Sequence, residues 1–223
     1  MTRHYRKFRE LMTVSQSWVG SDISKWWVQV VGNNSPKLDS LPYSRLTRDQ
    51  LKEFCQEDSS DLECLGAIMA WGGQNRSHGR RLFSSPDEVV GVIHSLRAGE
   101  LNRKAAYSAF YDLWLKGKSP GMGAAYFTKL IYFLLPNNDG YIMDQWTSKS
   151  INLILGRSLV DLNHGHVSKK NAADTYEKFC VEVERIASDL KMSAEDVEMA
   201  MFSKGGRNKE PWRNYVVEHF PAS

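Results

Sequence analysis

The sequence has few cysteines and no long apolar run. Its three cysteines, Cys55, Cys64 and Cys180, are too few for a four-cysteine iron–sulfur site, and no His/Cys group has zinc-site spacing. An odd number of widely spaced cysteines is typical of buried thiols in a reducing cytoplasm, so we expect a cytoplasmic protein. No apolar stretch reaches the roughly 20 residues of a membrane span, and no apolar segment of a signal peptide follows the basic run Met1–Arg9. We therefore expect neither a metal site nor a membrane partner.

The sequence also has little excess charge. The 223 residues include 29 Lys and Arg against 26 Asp and Glu, which gives a net charge of +3. This balance permits nucleic-acid binding but does not require it. Local basic clusters, such as Lys116 with Lys118, are equally typical of a solvated surface. The 42% hydrophobic content is that of an ordinary globular chain with a sizeable core.

Strand patterns are scarce, and apolar residues recur at helical spacing along most of the chain. The run Trp26–Val31 is compatible with either a strand or a helix, and the possible cap Asp22 favours a helix. No internal repeat, low-complexity stretch or long Pro/Gly linker is present. The sequence predicts an all-α fold, with helices in these segments: 62–71, 86–96, 105–115, 124–135, 144–155, 168–190 and 197–202.

A glycine turn, residues 116–123 (KGKSPGMG), lies between two of these helical segments. Glycine at 121 and 123 allows a tight turn with no Cβ near a bound group. The first N–H groups of the following helix are unpaired and lie at the positive end of its dipole, which suits a phosphate. The same pattern is also typical of an ordinary tight connection between helices.

A single acid, Asp144, follows Gly123 by 21 residues, in the run 141–146 (YIMDQW). The pattern places it at the start of a helix, where the helix dipole favours a negative charge. An aspartate in this position either caps the helix or presents its carboxylate to a ligand. Combined with the glycine turn, it indicates a chain that grips a nucleic-acid backbone and presents one acid to it.

The runs 120–130 (PGMGAAYFTKL) and 142–146 (IMDQW) resemble a motif of the helix-hairpin-helix–GPD DNA glycosylases, closest in style to the 8-oxoguanine glycosylase branch. That family carries Leu-Pro-Gly-(Val/Ile)-Gly, a helix, a short loop, and then Val-Asp-Val-His-x-Trp or a relative. The match covers roughly residues 113–155. Four residues keep the family register: Pro120, Gly121, Gly123 and Asp144.

The resemblance implies a role for each matching residue. Asp144 would be the catalytic carboxylate, which stabilises the oxocarbenium-like sugar and orients or activates the attacking water. The turn would contact DNA phosphate, and its carbonyls would be able to hold a monovalent cation as in relatives; we expect no other cofactor. The predicted DNA-binding residues of the turn are Lys116, Lys118, Gly121, Met122 and Gly123.

The sequence departs from the family pattern in three places. Ser119 replaces the usual leucine, the histidine is absent, and Trp146 comes two residues earlier than the family tryptophan. Family members that also cleave the strand place a nucleophilic lysine two residues after the second glycine, where this chain has Ala125. Lys129 shares a helix face with that position, and it either reaches the site or lies on the surface. We expect a monofunctional enzyme that excises a base without a Schiff base.

Such enzymes flip the target base out of the duplex and fill the gap that it leaves. The loop after an early helix, residues 71–76 (WGGQNR), is the predicted source of the filling side chains. Gln74 and Asn75 would bond to the orphaned partner base, and Arg76 would hold a phosphate. The alternative is a helix end followed by polar loop residues.

Aromatic residues are candidates for the pocket that receives the flipped base. Trp71 and Trp146 are the main candidates, with Trp114 as a further one and Lys129 as a polar neighbour. Tryptophans at helical spacing are also typical of a hydrophobic core.

The expected fold is one glycosylase-like domain, residues 1–223, in two helical lobes. One lobe spans about residues 60–160 and the other combines 1–59 with 161–223, since such folds bring the chain ends together. The expected function is excision of an oxidised or modified purine, such as 8-oxoguanine, from DNA. The alternatives are a catalytically weak nucleic-acid-binding protein, or a modified-guanine-processing protein of the kind that this resemblance associates with bacterial antiphage (CBASS) operons. The sequence does not indicate an oligomeric state.

Overall fold

The structure, a computed structural model, describes residues 2–14, 18–32, 41–42 and 44–220. Over these ranges the chain forms twelve α-helices and one short antiparallel pair of strands, which confirms the predicted all-α fold. No helix within the described ranges is long and apolar enough to cross a membrane. In chain order the elements are α1 (Arg3–Leu11), α2 (Ile23–Val31), α3 (Arg48–Gln56), α4 (Asp61–Trp71), α5 (Arg76–Phe83), α6 (Asp87–Arg97), α7 (Arg103–Leu115), α8 (Ala124–Leu134), α9 (Gln145–Leu155), β1 (Leu162–Asn163), β2 (His166–Val167), α10 (Ala173–Leu190), α11 (Ala194–Phe202) and α12 (Pro211–His219).

The chain divides into two compact units, which we name by their main features. The turn unit comprises residues 16–140, and the Asp144 unit comprises residues 1–15 with 141–223. These bounds differ from those of the predicted lobes, because α2 packs on α4 and α5 while α3 packs on α8. Likewise, α9 packs on α1 and α11 and so belongs with the chain ends.

Two buried helices form the centre of the turn unit. Every residue of α4 from Cys64 to Trp71 is buried, and so is every residue of α8 from Phe127 to Leu134. A helix that is buried on all sides lies inside a domain, and α8 accordingly packs against α3, α4, α6 and α7. A capping box of Ser60 and Glu63 fixes the start of α4. The glycine turn is therefore attached to a helix at the centre of this unit.

In the Asp144 unit, α9 contacts α1, α10, α11 and α12. A buried hydroxyl, Oγ of Ser150, accepts a hydrogen bond from Nε1 of Trp212 (3.0 Å) and donates one to the carbonyl of Met201 (2.7 Å). This single side chain ties α9 to α11 and α12. The helix that begins directly after Asp144 is therefore held in place by two other helices through this one residue.

The segment before α10 differs from the predicted helix. The helix begins at Ala173 rather than at 168, and β1 and β2 precede it. Asn171 explains the difference, because its Oδ1 accepts from the N–H of Asp161 (2.8 Å) and its Nδ2 donates to the carbonyls of Asp161 and Ser168. These bonds hold the backbone in a turn. Elsewhere, the helix predicted over Trp26–Val31 is confirmed, and the three cysteines are buried free thiols as predicted.

Candidate active site and nucleic-acid interface

The glycine turn connects α7 to α8 through a conformation that requires glycine at one position. Gly121 has φ +75°, in the left-handed region. A Cβ there would lie 2.5 Å from Cβ and 2.7 Å from Cα of His78 in α5, so even alanine would overlap its neighbour. Gly123 has an ordinary φ of −107°; a Cβ at this position would lie 3.2 Å from the half-buried ring of Trp114. A left-handed φ and the contact with His78 therefore require glycine at 121, whereas at 123 only the close contact with Trp114 favours it.

The N-terminus of α8 presents unused backbone donors. Gly123 is the N-cap and offers no side-chain bond, while its carbonyl accepts from the N–H groups of Tyr126 (2.8 Å) and Phe127 (3.1 Å). The N–H groups of Gly123, Ala124 and Ala125 make no hydrogen bond to any residue that the structure describes. Three such donors at the positive end of a helix are suited to an anion.

Gln74 lies beneath the glycine turn and is fully buried. Its side-chain Nε2 donates to the carbonyl of Gly121 (3.1 Å), and its backbone carbonyl accepts from Nε1 of Trp26 (2.6 Å). The prediction for Gln74 was a contact with an orphaned base. A completely buried side chain has no surface to offer a base, and the bond to Gly121 instead holds the turn against the loop 72–75.

Replacing Gln74 by leucine should destabilise the turn. The change keeps the side chain buried but leaves the carbonyl of Gly121 without its donor, which costs about 1–3 kcal/mol of unfolding free energy. Urea denaturation followed by circular dichroism measures the loss. Gln56→Leu is the matched control, because Gln56 is exposed at the end of α3. Equal midpoints for the two variants would mean that Gln74 does not anchor the turn.

The side chains of Asn75, Arg76, Lys116 and Lys118, which are also predicted contacts, are exposed, and most already have a partner. Asn75 caps α5, with Oδ1 accepting from the N–H of Ser77 (2.9 Å). Nε of Arg76 donates to Gln29 (2.9 Å), and Nζ of Lys118 lies 2.8 Å from a carboxylate oxygen of Glu88. Lys116, at the end of α7, has no ion pair with a described residue. At the surface such bonds are weak, so Arg76 and Lys118 can exchange their partners for others.

Trp71 is part of the core. Its side chain is 2% exposed, Nε1 donates to the carbonyl of Leu46 (3.0 Å), and its ring packs edge-to-face on Trp18 and Phe133. A ring enclosed on these sides has no face for a base. The core alternative therefore describes Trp71 better than the predicted pocket role.

Lys129 is also buried, with 9% of its surface exposed. Its Nζ donates to the carbonyl of Ala125 (2.7 Å), one helical turn earlier. The aliphatic stem lies against Gly72, where a Cβ would be 3.0 Å from Cδ and 3.1 Å from Cε. The amine thus lies beside the backbone of Ala125. Glycosylases of the resembling family that cleave the strand carry their nucleophilic lysine at this position.

In the Asp144 unit, the two oxygens of the Asp144 carboxylate are used differently. Oδ1 accepts from the N–H groups of Trp146 (2.7 Å) and Thr147 (3.0 Å), and Oγ1 of Thr147 accepts from the N–H of Asp144 to complete a capping box. Oδ2 accepts no hydrogen bond from any described residue. The side chain is 8% exposed. The helix cap therefore fixes the orientation of the carboxylate and leaves one oxygen for a ligand.

Two cations lie against the ring of Trp146, two residues after Asp144. Cζ of Arg213 is 3.7 Å from the ring centre of half-buried Trp146, and Nζ of Lys149 is 4.7 Å from it. Burial lowers the pKa of Arg213 to about 10, while the charges of Asp144 and Glu210 oppose the shift. Burial, followed by the charge of Arg213, lowers the pKa of Lys149. Trp146 thus positions positive charge near the carboxylate and does not present a bare ring.

The profile of one protein family matches most of the chain. The family is described as "Putative 8-oxoguanine DNA glycosylase OGG-like protein", and the match covers residues 12–202. The chain belongs to this family. No curated protein and no solved structure matches the chain significantly. Membership confirms the predicted relationship to 8-oxoguanine glycosylases and implies DNA as the partner.

Sequence reasoning missed several residues of this OGG-like protein. Arg213 follows Asp144 by 69 residues, lies beyond the range matched by the family, and has no local motif. His78 contacts the glycine turn from a separate segment of the chain. Gln74 was predicted as a base contact, and its buried supporting bond to the turn was missed for the same reason. Gln74 directly follows the glycine pair 72–73, and this pattern indicated a polar loop residue but not a buried one.

Proposed function

We propose that this OGG-like protein is a DNA N-glycosylase that excises an oxidised or modified purine, such as 8-oxoguanine, with Asp144 as its catalytic carboxylate. One observation carries the proposal: Oδ1 of Asp144 is fixed by the start of α9, while Oδ2 accepts no hydrogen bond from any described residue. A helix cap needs only one carboxylate oxygen. The unused oxygen is the group that a reaction at the sugar requires.

In the proposed reaction, the bond between the sugar and the purine breaks as positive charge develops on the sugar. The carboxylate of Asp144 stabilises this charge and orients the water that attacks the sugar carbon. The fixed orientation of Oδ1 means that the carboxylate needs no rearrangement when the charge appears. Hydrolysis yields an intact strand with an abasic site, together with the free base.

The glycine turn is proposed to bind a DNA phosphate. The N–H groups of Gly123, Ala124 and Ala125 would donate to its oxygens, with the N-terminus of α8 contributing a partial positive charge. Lys116, Lys118 and Arg76 would add exposed cations around it. Met122 is 1% exposed, so its contribution to DNA binding would be through its backbone alone.

A monovalent cation would also fit the oxygen donors of the turn. Oγ of Ser119 and Oε1 of Gln74 are buried and lack a hydrogen-bond partner among the described residues, and Gln74 is bonded to the Gly121 carbonyl. Oxygen donors are the ligands that hard cations prefer. Such an ion would hold the carbonyls of the turn in place.

The decisive experiment is an excision assay with single- and double-stranded oligonucleotides. Each would contain 8-oxoguanine, uracil, an alkylated base or a deazaguanine, and alkali would reveal abasic sites. Release of one base by the native protein would establish the activity and identify the substrate. Binding to all oligonucleotides without release would overturn the proposal and favour the nucleic-acid-binding alternative. Release of deazaguanine alone would favour the modified-guanine alternative.

We expect hydrolysis without a covalent intermediate. Position 125 is alanine, and the amine of Lys129 is buried and donates to the carbonyl of Ala125. Borohydride added during turnover should therefore trap no protein–DNA complex on a denaturing gel. If a complex is trapped, and if it persists in Lys129→Ala but is lost when another lysine is replaced, that other lysine is the nucleophile. A complex that disappears in Lys129→Ala would identify Lys129 as a nucleophile and contradict monofunctional hydrolysis.

A further inference from the structure

A basic loop, residues 204–209 (KGGRNK), joins α11 to α12 in the Asp144 unit. Three of its six residues are cations, Lys204, Arg207 and Lys209, and all three are exposed. None forms an ion pair with a residue in the described ranges. Several other cations of this unit do have partners: Arg157 and Arg185 bind Glu182, and Lys7 binds Glu10. Three like charges crowded into one short loop repel each other unless an anion lies between them.

The basic loop also offers backbone donors. Within the described structure, none of the N–H groups of residues 205–209 donates a hydrogen bond. Gly206 has φ +89° with open space around its Cα, and Gly205 precedes it. Successive open N–H groups in a glycine-containing loop form a concave surface that suits anionic oxygens. The loop therefore combines point charges with directional donors.

The base of the loop is closed by one acid. Oε2 of Glu210 accepts from the N–H of Lys204 (2.7 Å) and from Oγ of Ser203 (3.1 Å). The N–H of Glu210 in turn donates to the carbonyl of Lys204 (3.0 Å). The two ends of the loop are thus bonded to each other, which lowers the entropic cost of ordering the residues between them.

Arg213 connects the basic loop to Asp144. Its Nη2 donates to the carbonyl of Phe202, its N–H donates to Oγ of Ser203 (3.2 Å), and a Cβ on Gly205 would lie 2.8 Å from Nη1. Gly205 is therefore the residue that lets the loop lie over this guanidinium. The same guanidinium stacks on Trp146, two residues after Asp144. The loop and the carboxylate are therefore linked within the Asp144 unit through one buried guanidinium.

We propose that the basic loop binds the phosphodiester backbone of DNA beside the nucleotide on which Asp144 acts. The proposal rests on the proposed function, because it takes DNA as the partner. Each of the three cations would contact a phosphate, and the open N–H groups would add hydrogen bonds to phosphate oxygens. Arg213 beneath the loop would contribute further positive potential.

The test compares two triple variants with the native protein. In the first, Lys204, Arg207 and Lys209 are replaced by alanine. In the control, three exposed cations of α1 are replaced by alanine: Arg3, Arg6 and Arg9. Each variant lowers the formal net charge from +3 to 0, so any difference between them reports position and not total charge. Fluorescence anisotropy would measure Kd for an undamaged duplex and for one with 8-oxoguanine, over a range of salt concentrations, and thermal melts would confirm that both variants are folded.

The loop variant should raise Kd about 10-fold or more at moderate salt and reduce the slope of log K against log salt by about 2–3, at roughly 0.9 for each phosphate contact. The control should retain the native slope. A loop variant with the native slope, or an equal loss in both variants, would overturn the inference and leave the proposed function intact. If the native protein binds neither duplex, the inference fails together with the proposed partner.

Discussion

Replacing Asp144 by asparagine should reduce base excision by about 10²- to 10⁴-fold, the range typical of a lost catalytic acid or base. The physical reason is that the two carboxylate oxygens have different roles: Oδ1 caps α9, and Oδ2 is the oxygen proposed to act on the sugar. An asparagine Oδ1 can still accept from Trp146 and Thr147, because asparagine is as good an N-cap as aspartate. The amide that replaces Oδ2 carries no negative charge, so it cannot stabilise a positive sugar. Single-turnover excision with excess protein would measure the change.

The matched control is Asp22→Asn. Asp22 caps α2 in the same manner, with Oδ1 accepting from the N–H of Lys25 (2.9 Å). Its pKa is lowered chiefly by this backbone hydrogen bond, as is typical of a cap. The control variant should excise at the native rate, and both variants should melt near the native temperature. Full activity in Asp144→Asn would remove this residue from the mechanism and reduce it to a helix cap.

Replacing Gly121 by alanine should have the largest effect on the fold of the turn unit. An alanine at φ +75° costs about 1–2 kcal/mol in backbone strain. The overlap of its Cβ with His78 adds about 1–3 kcal/mol, because neither α5 nor the turn can move without loss of packing. Any relaxation also displaces the N–H groups at the start of α8. We expect a lower unfolding free energy in urea and weaker binding to duplex DNA.

Gly117→Ala separates the two contributions. Gly117 lies in the same turn with a similar φ of +71°, but an added Cβ would have no neighbour within 4 Å. Its variant should lose only the strain of about 1–2 kcal/mol. The difference between the two variants then measures the contact with His78. Identical losses in the two variants would show that the contact can be relieved at no cost.

The local features of this protein could be predicted from its sequence. Apolar spacing located most helices, and Gly121 and Asp144 carried enough local information to indicate a tight turn and the start of a helix. Both depend on interactions within a few residues: a positive φ in one case, and N–H groups two and three residues further on in the other. The roles of Asp144 and of the glycine turn in binding or catalysis stay predictions.

Features that depend on distant contacts could not be predicted. The polarity of Gln74 indicated a loop residue, yet its amide is buried against a carbonyl 47 residues away. Trp71 was as suitable for a pocket as for the core, and its burial and its packing on Trp18 and Phe133 distinguish the two. Arg213 carried no signal, because its partners lie on α9, α11 and the basic loop. Periodicity reports which face of a helix is apolar but not which segment covers it.

The contact between Gly72 and Lys129 couples the residue that ends α4 to a residue of α8. The missing Cβ at 72 provides the space through which the lysine stem passes on its way to the carbonyl of Ala125. A larger residue at 72 would fill this channel and force a shorter or redirected side chain at 129. The identity of residue 72 therefore affects how far an amine at 129 can reach.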